Sequence, residues 1–309
     1  MTYLKKVLAA LSFMAVGAGS ALSQSTNPAT IPQTAPMTAS ETRNLDFVLS
    51  WWREVVQARH VELAGKYQAE DYIQHNPNVP TGRAGFVKFF SGLGPPLNPI
   101  PNGLSPAPVV EGAKGDFVWL VFEHEAKDPR DPSWTYRYNS VELLRIQNGK
   151  IQEHWDSEKK EPGSPAFIPS TDPAPSAWNT GKLSTSERHN IELTTEVLKD
   201  LLQYGHLELA DKIIDPGYIQ HNPNVLQGSE GLVRYMSGFH VVPETIKPEW
   251  KDAPVLALAN GPYVLMMWNE KEKDPDNPGK DYLWNHFDVL RIENGLIKEH
   301  WDEEKLVLP

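Results

Sequence analysis

The chain has 309 residues, room for two ordinary domains. Asp and Glu number 40 against 29 Lys and Arg, a net charge of −11, and this acidic balance argues against a nucleic-acid or anionic-membrane partner. A 40% hydrophobic share is enough for packed cores, and the absence of cysteine excludes disulfides, thiolate metal centres and a cysteine nucleophile.

At the N-terminus Lys5 and Lys6 precede an apolar run from Val7 to Ala18, and Ala21-Leu22-Ser23 follows with small residues flanking a cleavage point. This is the pattern of a secretory signal, too short for a membrane span. Residues 1–23 are therefore expected to be removed. The mature protein is expected to be soluble, periplasmic or secreted, and free of the membrane. Residues 24–37, rich in Pro, Thr and Gln, read as a flexible arm.

Thr38-x-x-Glu41 is a capping box and predicts a helix start. Leu45, Val48, Leu49, Trp52, Val55 and Val56 continue it at helical spacing. A shorter helix is expected over His60–Lys66, and another through Phe86, Val87, Phe89 and Phe90. His75-Asn76-Pro77, with Asn76 biased away from helix by Pro77, reads as an extended turn. Phe117–Phe122 and Tyr136–Ile146 read as strands. Asn148-Gly149 is a hairpin signal, with a further strand from Lys150 to Asp156. Helices first, then a mostly antiparallel sheet, is an α+β arrangement.

The main motifs return 146 residues later. Tyr72-Ile-Gln-His-Asn-Pro-Asn-Val79 recurs at Tyr218–Val225, Lys127-Asp-Pro129 at Lys273–Pro275, and Glu153-His-Trp-Asp156 at Glu299–Asp302. The second capping box, Ser184-x-x-Glu187, keeps the same offset. A constant offset over so long a span means a duplicated domain rather than a solenoid. The units are read as 38–160 and 184–309, joined by a Pro-rich linker over 161–183.

The Tyr-Ile-Gln-His-Asn-Pro motif, with Leu143–Asp156 and its counterpart Val289–Asp302, resembles the SnoaL-like polyketide cyclase family of the nuclear transport factor 2-like superfamily. That resemblance implies two tandem cone-shaped domains, each of helices packed on a curved sheet around a pocket. It also implies cofactor-free chemistry such as aldol cyclisation, and in these cyclases an aspartate near the C-terminus is the general acid/base. Asp156 and Asp302 match it through their His-Trp-Asp context.

Strand alternation places His154 and Asp156 on one face, and Glu153 and Trp155 on the other. The first pair, and His300 with Asp302, could act as acid and base, or could simply end a strand. Asn76 and Asn222 could donate to an oxyanion, with His75 and His221 carrying protons, or all four could bond local backbone. Tyr72, Tyr218, Glu123, His124, Tyr138, Glu142, Trp284 and Asp288 complete the expected pocket wall. Glu123 and His124 face Asn269 and Glu270 at the offset, which makes unit one the chemically richer on paper. No phosphate-binding glycine motif or serine elbow is present, so no cofactor is expected. A metal-dependent alternative would draw on His75, His124, His154 and Asp156. Three readings stand: an acid–base enzyme acting on a small, partly apolar carbonyl compound, a non-catalytic small-ligand binder, and a metal-dependent enzyme. The two units are expected to pair as an intramolecular pseudo-dimer.

Overall fold

The computed structural model describes residues 36–164 and 178–307. The signal segment, nearly all of the arm, and residues 165–177 of the linker lie outside the described residues.

Unit one opens with α1 (Ala39–Trp51), which runs into a π-helical stretch over Trp52–Gln57. Thr38 and Glu41 satisfy each other's backbone N–H groups, so the capping box is formed on both sides. A single turn of 3-10 helix (Val61–Leu63) and α2 (Ala64–Tyr67) lead to β1 (Gln68–Gln74). There follow α3 (Arg83–Ser91), β2 (Val110–Lys114), β3 (Phe117–Lys127), β4 (Thr135–Gln147) and β5 (Lys150–Asp156). Unit two repeats the order as α4 (Thr185–Thr195) with a π-helical Glu196–Gln203, a 3-10 turn (Leu207–Leu209), α5 (Ala210–Ile213), β6 (Ile214–Gln220), α6 (Gly228–Ser237), β7 (Leu256–Asn260), β8 (Tyr263–Lys273), β9 (Asp281–Glu293) and β10 (Leu296–Trp301).

Each unit forms a five-stranded mixed sheet, β1-β5-β4-β3-β2 and β6-β10-β9-β8-β7. The expected hairpin at Asn148-Gly149 is present, with both residues at positive φ (52° and 71°), as a two-residue primed turn requires. Two strands escaped the sequence reading. β1 immediately precedes the His75-Asn76-Pro77 turn and pairs in parallel with β5, Ile73 against Glu153 and Gln74 against His154. Its exposed Glu70 and Asp71 interrupt the apolar alternation that would have announced it. β2 is short and carries Gly112, where a Cβ would meet the Trp119 ring at 2.2 Å.

Three apolar clusters hold the molecule. One lies under the helices of unit one, around Trp51, Tyr67, Phe86 and Leu144, and a second lies under those of unit two. The third is drawn from both sheets: Trp119, Leu143 and Trp155 pack with Leu265, Phe287 and Trp301. Each central strand is thus covered on both faces, which is why β3 and β8 read as continuous apolar runs.

Several polar contacts between the units are reciprocal. Asn139 donates to the carbonyls of His221 and Asp302 (3.3 Å each), and its counterpart Asn285 donates to that of Asp156 (3.3 Å). Lys159 sits over the Trp284 ring, and Lys305 over that of Tyr138. Other links are not mirrored: Lys114 donates to both oxygens of Glu187 at 2.8 Å, whereas its counterpart Asn260 has no side-chain partner, and Lys160 pairs with Asp274 and Asp276 where unit two carries Leu306. The linker reading needs a correction at its end. Trp178 packs edge-on against Phe117 and Trp155, so residues 178–183 belong with the packed structure. At the other margin Met37 packs on the first core and is no free arm.

Candidate functional site

Parallel pairing of β1 with β5 brings the two repeated motifs side by side. Alternation along β5 then sends His154 and Asp156 beneath the helices, and antiparallel pairing sets Glu142 of β4 opposite Asp156. The same rules assemble Asp288, His300 and Asp302 in unit two.

A glutamine fixes each histidine. Gln220 Oε1 accepts the Asn222 N–H (3.0 Å), which orients its amide nitrogen toward His300 Nδ1 (3.0 Å). Nδ1 therefore accepts, and the imidazole proton stands on Nε2, 2.6 Å from Asp288 Oδ1. In unit one Gln74 and Tyr72 hold His154 Nδ1, and Nε2 lies 2.7 Å from Glu142. The aspartates are fixed as well. Asn222 donates to Asp302 Oδ2 at 2.9 Å and the Glu304 N–H to Oδ1 at 3.0 Å. Asn76 and the Glu158 N–H do the same for Asp156. Asn76 and Asn222 therefore act first as positioners of a carboxylate, not as unengaged oxyanion donors.

His75 and His221 do not join these clusters. Each ring stacks on the tryptophan of the opposite strand face (4.6 Å from Trp155 and from Trp301) and contacts Glu153 or Glu299. Proton carriage at His75 and His221 is thus corrected: the following turn directs both rings to the far side of the sheet. Glu123 pairs with Arg137 at the strand margin (3.0 Å), and His124 stacks on Tyr138 and bonds Ser140 Oγ (2.8 Å). Trp284 is buried beside His286 under Lys159. These four stand beyond the clusters. The metal set changes accordingly. Glu142, His154 and Asp156, or Asp288, His300 and Asp302, each bring one nitrogen and two carboxylate oxygens within 4.8 Å, a donor set that a divalent ion could use.

The units differ in space and in charge. In unit two a cavity of about 100 Å³ opens above the cluster, lined by Val197, Leu198, Tyr218, Tyr235, Trp268 and Met236 besides the polar residues. In unit one Trp51 and Trp52 stand at the offset positions of Val197 and Leu198. Both indoles lie edge-on to His154 (5.8 and 6.3 Å), and Trp52 stacks on Phe122 at 5.0 Å. Glu123 and His124, which made unit one the richer on paper, stand beyond its cluster, and two indoles stand against His154 where unit two has Val197 and Leu198.

Charge follows a single pair of differences. Burial, aided by the Glu158 charge, pushes Glu142 well above the usual carboxylate range, and burial beside Glu142 lifts Asp156 to about 7. The His154 ring is pushed down by burial. The unit-one cluster is therefore close to neutral. Unit two has His286 where unit one has Ser140, and Glu303 where it has Ser157. Burial opposes ionisation of Asp288, but the His286 charge outweighs it and holds Asp288 well below its ordinary value. Burial likewise opposes a charge on His286, and Glu303 and Asp288 together outweigh it. Glu304, also at the cavity wall, is raised to about 7 by burial and the adjacent Glu303. His286, Glu303 and Glu304 were missed from sequence. The signal was there: the Ser-to-His and Ser-to-Glu differences between repeats fall beside the shared motifs.

No protein-family model and no curated protein matches the chain. Solved structures similar to it include a proposed polyketide cyclase from Acidithiobacillus ferrooxidans (20% identity, TM-score 0.28, 39% of this chain and 89% of that one). A proposed SnoaL-like polyketide cyclase from Jannaschia sp. is similar at 14% identity, TM-score 0.28, 39% of this chain and 88% of that one. A protein with a ketosteroid isomerase-like fold from Catenulispora acidiphila, solved with trimethylamine, is similar at 16% identity, TM-score 0.26, 38% of this chain and 88% of that one. Each match covers 38–39% of this chain, about the length of one unit.

Proposed function

We propose that unit two takes a small, partly apolar carbonyl compound into its cavity and moves a proton on it by general acid–base catalysis without a cofactor, as an aldol cyclase, isomerase or hydrolase does. The observation that supports this reading is Asp302, a carboxylate held by two fixed donors at the wall of an apolar cavity. Asp302 takes the proton from carbon, and the His300–Asp288 pair beside it offers a second exchangeable proton. Unit one braces unit two: the reciprocal asparagines and the shared apolar cluster favour an intramolecular pseudo-dimer. Export through residues 1–23 remains part of the proposal.

The test needs no natural substrate. Hydrogen–deuterium exchange at the α-carbons of cyclohexanone in deuterium oxide, followed by NMR, reports proton abstraction directly. Asp302→Asn should slow the catalysed exchange by about 10²–10⁴-fold, and Asp156→Asn should leave it unchanged. Exchange abolished by Asp156→Asn but not by Asp302→Asn would overturn the assignment. Calorimetric binding of cyclohexanone with no exchange would favour the non-catalytic binder, the reading that an apolar cavity supports equally well.

A further inference from the structure

His286 has no role in the proton transfer just described, yet it is 5% exposed and lines the cavity. Its Nδ1 lies 2.5 Å from Glu303 Oε1. Its Nε2 has an ion contact of 3.4 Å with Asp288 Oδ2 that lacks hydrogen-bond geometry, and it has no other partner. A carboxylate oxygen thus faces each ring nitrogen. With both carboxylates ionised, each ring nitrogen stands as an N–H donor, Nδ1 to Glu303 and Nε2 on the side of Asp288. A buried donor whose nearest acceptor lies out of hydrogen-bond alignment loses the bond that water would have given it. An oxygen atom of a bound molecule would restore it.

Unit one shows that this is an addition to the fold and not a requirement of it. There Ser157 Oγ accepts the Val141 N–H at 3.3 Å. In unit two Glu303 Oε2 accepts the equivalent Phe287 N–H at 3.2 Å, which leaves Oε1 to hold His286. The backbone contact is kept, and a charged dyad has been added above it. The same unit has Val197 and Leu198 in place of the two indoles. Cavity and donor occur together in unit two, whereas unit one has serines at both dyad positions and indoles at the offset of Val197 and Leu198.

We propose that His286, held by Glu303, is a catalytic residue of unit two that binds the carbonyl oxygen of the substrate through Nε2–H. This rests on the cavity being the ligand site. When Asp302 removes the α-proton, the electron pair of the C–H bond moves to the oxygen, and the enolate forms against Nε2–H. The proton then returns from Asp302 to carbon, or to the new alkoxide if the enolate carbon has added to a second carbonyl. A positive donor matters because Asp288, Asp302 and Glu304 surround the oxygen, and an enolate among them needs a cation beside it.

The experiment compares two probes of similar shape, 4-nitrophenolate, whose oxygen mimics an enolate, and neutral nitrobenzene, by equilibrium binding to the full chain. His286→Leu leaves Glu303 buried and alone, and could unfold unit two. The double substitution His286→Ser with Glu303→Ser is therefore the main variant, since it restores the pair that unit one folds with. The preference for nitrophenolate over nitrobenzene should fall at least tenfold in the double variant, with nitrobenzene binding kept. His286→Gln, which retains a neutral N–H, should lose less. An unchanged preference in the double variant overturns the role of His286 while leaving the cavity reading intact. If neither probe binds the unaltered protein, both fall together.

Discussion

Replacing Trp51 with valine, the residue that unit two carries at the same point, should open space beside His154 in unit one. Truncating a buried indole to alanine typically costs about 3–5 kcal/mol, and valine retains part of the contact. Trp51 is completely buried, so the full transfer term applies. Its Nε1–H, however, is buried without an acceptor, and removing an unsatisfied donor returns about 1–2 kcal/mol. The net loss should be about 2–3 kcal/mol. For a folded body of this size that lowers Tm by roughly 5–10 °C, read by calorimetry. Trp51→Phe, which also removes the donor but keeps a ring, should cost less than Trp51→Val. The new cavity should take up benzene, detected by NMR shifts of the unit-one methyl groups, as dry apolar cavities do. A variant as stable as the parent that binds no benzene would refute the view that Trp51 occupies a vestigial pocket.

Two further outcomes follow from the packing. The lysine-bound Glu187 has its carboxyl held below its ordinary value: burial opposes this, but Lys114 and the Ser184 and Gly261 N–H groups outweigh it. A depressed carboxylate stabilises fully above its unfolded value of about 4.3 and loses that contribution as pH falls through the lower folded value. Denaturant titrations from pH 5 to pH 3 should therefore show a steeper loss of stability for the parent than for Glu187→Gln, and equal slopes would count against the bridge. Gly115→Ala should destabilise by more than about 1 kcal/mol, since Gly115 has φ of +58° and an added Cβ would lie 2.2 Å from the Asn179 carbonyl. An unaltered melting curve would show that this turn can yield.

Much of the architecture was legible because duplication let each half confirm the other. Capping boxes, helices, the last three strands of each unit and the hairpin turns were all readable from local pattern. The site was legible only as far as strand alternation reaches. His154 with Asp156 follows from a period of two, and so does His300 with Asp302. The inward or outward aim of His75 does not, because it depends on the parallel register of β1, a strand whose polar middle hides it. The closure of one pocket was written in Trp51 and Trp52 against Val197 and Leu198, but helical spacing alone reads all four as core.

The reciprocal asparagines have an evolutionary consequence. In a dimer of identical subunits every substitution appears twice, so filling one pocket fills both. Here Asn139 ties down the backbone beside Asp302, while the pocket of its own unit can change freely. Joining the two copies in one chain separates the task of bracing from the task of holding a ligand. The first copy can gain tryptophans and the second can gain a charged dyad, with neither change imposed on the other.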